Sequence, residues 1–163
     1  MKLISDRFRP HPTILLMILA LAEVTVAQNV VFPSSPSVRN VKTTYGAVGN
    51  GVADDTEPLR TAVRSNWGGN LVYIPNGTYR VTGSIICRGE AGVGPWIFGQ
   101  SRDGVVIKLA DNLPAFADTA NPQPVIAAHN HLPGARISAD HFMRQWHNFT
   151  VDAGNNPGAI GIR

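Results

Sequence analysis

Asp103 and Asp152 lie at the edges of apolar runs, where a strand would meet a turn. Carboxyl groups in pairs, about 5 to 9.5 Å apart, are what acid–base chemistry on a glycosidic bond requires. Asp152 directly follows Phe149-Thr150-Val151 and is the catalytic candidate; Asp103, next to Arg102, has the setting of a turn residue. Asp54 and Asp55 are adjacent acids at the entry to a helix, where unsatisfied amides and the helix dipole attract carboxylates for structural reasons. Trp146 and His147 are the substrate-binding candidates, because Trp67 and Trp96 fall on apolar faces. His129 and His131, two residues apart, would share one face of a strand, with His141 and His147 beyond. A zinc or copper site needs three or four fixed ligands, and Asn130, Pro133 and Gly134 make this stretch loop-like, so no metal site is expected. Nor do the scattered acids form the carboxylate cluster that calcium needs.

The elements that must position these groups are mostly short strands. Val41–Ala47 reads as a strand, Gly49-Asn50-Gly51 as a tight turn with positive φ, and Asp55 as the N-cap of a helix with Pro58 in its first turn. Leu59, Ala62, Val63 and Trp67 share one helical face, and Gly68-Gly69 ends the helix. The period then changes from 3.6 to 2. Strands are expected over Leu71–Pro75, within Thr78–Cys87 with Tyr79, Val81 and Ile85 on the apolar side, and over Trp96–Gly99, Val105–Leu109 and Phe149–Val151. Asn76-Gly77 has the composition of a hairpin turn, so Gly77, like Gly68 and Gly69, has a structural role. Four prolines mark about 110–140 as a loop insertion carrying one strand near Val125-Ile126.

Residues 1–27 read as a secretory signal: Lys2, Arg7 and Arg9 precede the apolar Ile14–Ala22, and Thr25-Val26-Ala27 offers a cleavage site. The nine-residue apolar core is short of the roughly 20 that span a bilayer, so the mature chain is expected to be secreted, without an integral membrane segment. Removing the leader takes away three of 14 basic and two of 11 acidic side chains, leaving 11 against 9, a net +2. That modest, unclustered charge does not fit a nucleic-acid partner. Cys87, the single cysteine, follows Ile85-Ile86 and is expected to be a buried thiol. Residues 28–40 form a Pro/Ser-rich lead-in, and Asn76 and Asn148 open N-x-S/T sequons.

The run Val41-Lys42-Thr43-Thr44-Tyr45-Gly46-Ala47-Val48-Gly49-Asn50-Gly51-Val52-Ala53-Asp54-Asp55-Thr56, then Gly68-Gly69-Asn70-Leu71-Val72-Tyr73-Ile74-Pro75-Asn76-Gly77-Thr78-Tyr79, resembles the opening of the pectate-lyase-like, rhamnogalacturonase/epimerase-like superfamily. Phe98–Leu109, Asn148–Asp152 and Asn156–Ile162 continue the resemblance, which covers about 41–163. It implies an all-β fold, a right-handed single-stranded parallel β-helix, with the helix at 56–66 capping its N-terminal end. It also implies a polysaccharide substrate, since such members are glycoside hydrolases, polysaccharide lyases or non-catalytic glycan-binding and adhesion modules. Stacks of this kind need at least about three repeats. The chain reaches Arg163 within an apolar alternation, so it is expected to be the N-terminal part of a longer protein that carries little of the active site. The paired-Asp and His-Gly motifs of the polygalacturonase branch are absent from it.

Overall fold

The computed structural model describes residues 29–66, 70–87, 95–127 and 145–163. Strand β1 (Val38–Asn40) leads into helix α1 (Val41–Tyr45), β2 (Asn50–Asp54) and helix α2 (Thr56–Arg64). There follow β3 (Leu71–Ile74), β4 (Gly77–Val81), β5 (Ile85–Ile86), β6 (Trp96–Gly99) and β7 (Val105–Leu109). After a 3-10 turn (Pro114–Phe116) come β8 (Gln123–Ala127), β9 (Gln145–His147), β10 (Thr150–Asp152) and β11 (Ala159–Ile162).

These strands enter three sheets in rotation. Sheet A is ordered β1-β3-β6-β9, sheet B β2-β4-β7-β10 and sheet C β5-β8-β11, and the pairs are parallel. Each circuit from A to B to C is one coil, so the chain is mostly sheet, with parallel strands and few helices, in the manner of a parallel β-helix. In the first circuit β1 and β2 are followed by α2 in place of a third strand. Helix α2 lies against β5, and Arg60 Nε donates to the Ser84 carbonyl at 2.9 Å.

Interior side chains repeat from coil to coil. Val72 pairs with Ile97 and Ile97 with Trp146 in sheet A; Tyr79 pairs with Ile107 and Ile107 with Val151 in sheet B, where Val81 also meets Leu109. Tyr79 is fully buried, and its hydroxyl donates to the Pro75 carbonyl at 2.6 Å. Burial raises the pKa of its phenol far above the ordinary value, assisted by the nearby charge of Asp55. Leu59, Ala62 and Val63 of α2 join the same core, as do Ile85 and Cys87, and the thiol is buried as expected. Asn156, also buried, accepts from the Leu113 amide at 2.8 Å and donates to the carbonyls of Ala110 and Ala153 at 2.9 and 2.8 Å, which ties the last coil to the one before it.

Three local expectations are corrected. The β-branched run from Val41 is a helix, not a strand, because the Asn40 side chain accepts from the amides of Lys42 and Thr43, and Gly46 closes the turn at φ 75°. An N-cap and a left-handed C-cap outweigh the strand preference of Val, Thr and Tyr. At Asn76-Gly77 there is no hairpin: β3 and β4 belong to different sheets, and the pair turns the corner between them. The requirement at Gly77 is space, since a Cβ there would lie 2.5 Å from the carbonyl oxygen of Gly49 in the coil below. Lastly, α2 stops at Arg64 with Ser65 as its C-cap, while Trp67, Gly68 and Gly69 lie outside the described residues. The Gly49 and Gly51 turn does have positive φ, 67° and 77°.

Gly77→Ala is expected to destabilise the protein by about 1–3 kcal/mol, the range for overpacking. Gly161→Ala, where the nearest atom to a new Cβ is 3.9 Å away, should be close to neutral. Chemical denaturation of both variants checks this; equal midpoints would show that the corner relaxes without cost.

Candidate functional site

In sheet B the buried residues alternate with outward-facing ones. Between Tyr79 and Val81 stands Arg80, and between Ile107 and Leu109 stands Lys108. Register places Asp54 beside Arg80, Arg80 beside Lys108 and Lys108 beside Asp152. One acid–base–base–acid row therefore runs across the outer face of sheet B, with neighbours one strand spacing, about 4.8 Å, apart at the backbone.

The two acids are held differently. Asp152 Oδ2 lies 3.6 Å from Lys108 Nζ, with the side chains 43% and 46% exposed, so this pair is a weak surface contact. Its Oδ1 accepts from the Gly154 amide at 2.9 Å, and Asp111 Oδ1 accepts from the next amide, Asn155, at 2.8 Å. Asp54 accepts from the Thr82 hydroxyl at 2.7 Å, from the Thr56 amide at 3.0 Å and from the Thr56 hydroxyl. Partial burial raises the pKa of its carboxyl, but the bonds from Thr56 and Thr82 and the charge of Arg80 outweigh it, leaving the group below the ordinary carboxylate value.

Asp55 is buried, and its carboxylate accepts from the amides of Val48 and Gly49 at 2.7 and 3.0 Å. It is the N-cap residue of α2 by position but makes no side-chain cap bond; Asp54 supplies the bond to the Thr56 amide instead. Asp103 is two-thirds exposed, pairs with Arg102 at 3.1 Å, and lies ahead of β7, whereas Asp152 ends β10. The structure thus sets Asp103 and Asp152 at opposite ends of two paired, parallel strands and brings Asp152 to Lys108 instead.

Trp146 and His147 face different ways. Trp146 shares its register with buried Ile97 and packs on the core; its indole N–H has no acceptor among the described residues. His147 is exposed on the outer face of sheet A and stacks on Phe98, with ring centroids 4.6 Å apart and planes 21° from parallel. Next to them, Phe32 meets Tyr73 and Phe98 edge-on at 5.5 and 5.7 Å, and the Val30 amide donates to the Gln100 carbonyl at 2.7 Å. The segment before β1 thus covers part of this face, within the stretch expected to be a lead-in. His129, His131 and His141 lie outside the described residues. Among the described residues no group of three or more His, Cys, Asp and Glu side chains could hold a metal ion.

Arg80 and Lys108 were not legible as site residues, because a lone cation between apolar residues on a strand reads as a solvated position. Laying Tyr79-Arg80-Val81 over Ile107-Lys108-Leu109 was the available signal, and it needs the coil register to be known.

Residues 38–163 match the family described as rhamnogalacturonase A/epimerase, pectate lyase-like, and the chain belongs to that family. It is 32% identical over 136 residues to a glucan 1,3-beta-glucosidase of Cochliobolus carbonum, covering 74% of this chain and 16% of that protein. Over 81 residues it is 48% identical to a mannuronan C5-epimerase of Azotobacter vinelandii, covering 44% of this chain and 8% of the epimerase. A pre-neck appendage protein of Bacillus phage B103 is 39% identical over 71 residues, covering 44% and 7%. Among solved structures, ORF18 of Geobacillus virus E2 superposes with a TM-score of 0.51 at 25% identity, over 77% of this chain and 22% of that one. The chain spans less than a fifth of the length of these curated relatives.

The lowered pKa of Asp54 gives a signed prediction. Its contribution to stability is complete above the unfolded carboxylate value of about 3.9 and is lost as pH falls through the lower folded value. Thr82→Val should move the Asp54 titration, followed by carboxyl NMR, upward toward that unfolded value; an unchanged midpoint would remove the Thr82 hydroxyl from the account.

Proposed function

We propose that this chain is the polysaccharide-engaging N-terminal part of a secreted carbohydrate-active enzyme, a glycoside hydrolase or polysaccharide lyase, and that the outer face of sheet B is its contact surface. The observation that carries the reading is the Asp54–Arg80–Lys108–Asp152 row, an ordered line of charge across successive coils. Relatives named as epimerases and a glucosidase support a glycan as the partner. In this reading the β-helix winds right-handed, α2 caps its first coil, and residues 1–27 direct export.

The row suits binding better than bond cleavage. Asp54 and Asp152 are separated by three strand spacings, about 14 Å at the backbone, with two cations between them. A glycosidase pair sits at about 5 to 9.5 Å. The exposed Lys108–Asp152 pair contributes at most about 1 kcal/mol, so Lys108 can exchange Asp152 for a sugar carboxylate at little cost. The catalytic groups are therefore assigned to further coils of the whole protein. A second reading, a non-catalytic adhesion module, is favoured by the likeness to a phage appendage protein.

Arg80→Gln with Lys108→Gln is expected to weaken binding to polygalacturonate at least ten-fold in affinity electrophoresis, with little effect on binding to a neutral β-glucan. Retained affinity in the double variant places the contact surface elsewhere. The whole protein, assayed on the same polymers, separates the readings: new reducing ends or unsaturated products select the enzyme, and binding without turnover selects the module.

A further inference from the structure

Strand β2 meets its partner β4 through an irregular stretch. Asn50 stands beside Thr78 and Asp54 beside Arg80, so four steps along β2 match two along β4, and the two extra residues form a bulge. In an unbroken register Arg80 would face Val52 instead of Asp54. Strand β2 is the outermost strand of sheet B among the described residues, and bulges are favoured at such edges, where they re-aim a side chain. The stretch opens on Gly51 at φ 77°, a region that glycine enters without strain. Within it the amides of Val52 and Ala53 both donate to Asn50 Oδ1, each at 2.9 Å. Inserted residues leave amides without a partner in the ladder, and the short Asn side chain can accept from the backbone just ahead of it. The Val52 side chain stands in solvent, 77% exposed.

From this arrangement we infer that Asn50 is a positioning residue for the charged row: by holding the Val52 and Ala53 amides it keeps the bulge, and the bulge sets Asp54, in place of Val52, beside Arg80. The inference rests on the proposed function in taking the row as the contact surface. Asp55 pins the chain on either side of the bulge, its carboxylate accepting from the amides of Val48 and Gly49 and its own amide donating to the Arg80 carbonyl at 2.8 Å. The path between those anchors is left to Asn50. Asp54 then reaches the Thr82 hydroxyl at 2.7 Å, and Arg80 and Lys108 are bounded by an acid at each end. An anionic ligand is thereby limited to the two cations, since a carboxylate placed beyond either of them meets a like charge.

The test is NMR of the full chain. In Asn50→Ala the Val52 and Ala53 amides are expected to exchange roughly ten-fold faster than in the parent. The cross-strand NOE between Asp54 and Arg80 should fade, and the Asp54 carboxyl midpoint should rise toward the unfolded value of about 3.9. Asn50→Asp keeps an acceptor oxygen at the same reach and should restore both the slow exchange and the NOE. The Ile107 and Leu109 signals of β7 report an intact stack; where Asn50→Ala loses them, Asn50→Gln, which moves the acceptor by one methylene, carries the same comparison. An unchanged Asp54 midpoint and NOE in the folded variant overturn the inference, because the bulge is then held without Asn50. Equal loss in Asn50→Asp also overturns it, since the acceptor is then not what matters. Polygalacturonate binding by the parent is a separate measurement: its absence strikes the contact surface and leaves the placement of Asp54 standing.

Discussion

Every strand among the described residues finds its backbone partners a full circuit away, in the coil before or after, and the remaining features follow from that constraint. Three-residue strands such as β9 and β10 are too short to stand alone, yet they are ordered where a neighbouring coil offers a matching edge. The match must hold at each position, since a one-residue slip would turn Ile107 outward and bury Lys108. Backbone pairing, the apolar stack and the charged row are thus specified by a single register.

The corners enforce that register. Gly49 and Gly77 stack so closely at the bend between sheets A and B that a methyl group does not fit, and the Thr78 amide donates to the Gly49 carbonyl at 3.0 Å. Asp55 fixes the lower partner through the amides of Val48 and Gly49, and its own amide donates to the Arg80 carbonyl at 2.8 Å. A buried carboxylate is tolerable because charge-assisted hydrogen bonds replace its lost hydration. One residue therefore links the entry to α2, the first corner and the strand that presents Arg80.

Strands β6 and β7 were legible to the residue because Trp96–Gly99 and Val105–Leu109 alternate cleanly between glycine-rich turns. Strand β10 was legible within one residue, and β8 was found around Val125-Ile126 despite Pro124. Val41–Tyr45 has the propensity of a strand, and the caps that make it a helix, Asn40 and Gly46, are both visible in the sequence. Trp146 has polar neighbours, Gln145 and His147, in the sequence, and only register reveals that it stands in line with Val72 and Ile97. Asp152 could be singled out by its place after a strand, but not its neighbour Lys108, which is 44 positions away in the numbering and adjacent only across coils. Local signals locate strands; a contact between coils is long-range and has no local trace.

The same register explains why the outer faces of sheets A and B differ in character. On sheet A the outward line Tyr73, Phe98 and His147 is aromatic, and the chain lays Phe32 across part of it. On sheet B the outward line is charged, and its acids are satisfied by short polar partners: threonines around Asp54, a lysine and a turn amide around Asp152. Aromatic surface gains by being covered, since removing it from water is favourable, whereas half-exposed ion pairs lose hydration when covered and gain little from each other. Under the proposed function, a polymer with its own carboxylates would offset that loss by replacing the internal partner of a cation with an external one. The constraint that aligns like positions coil above coil thus produces both faces.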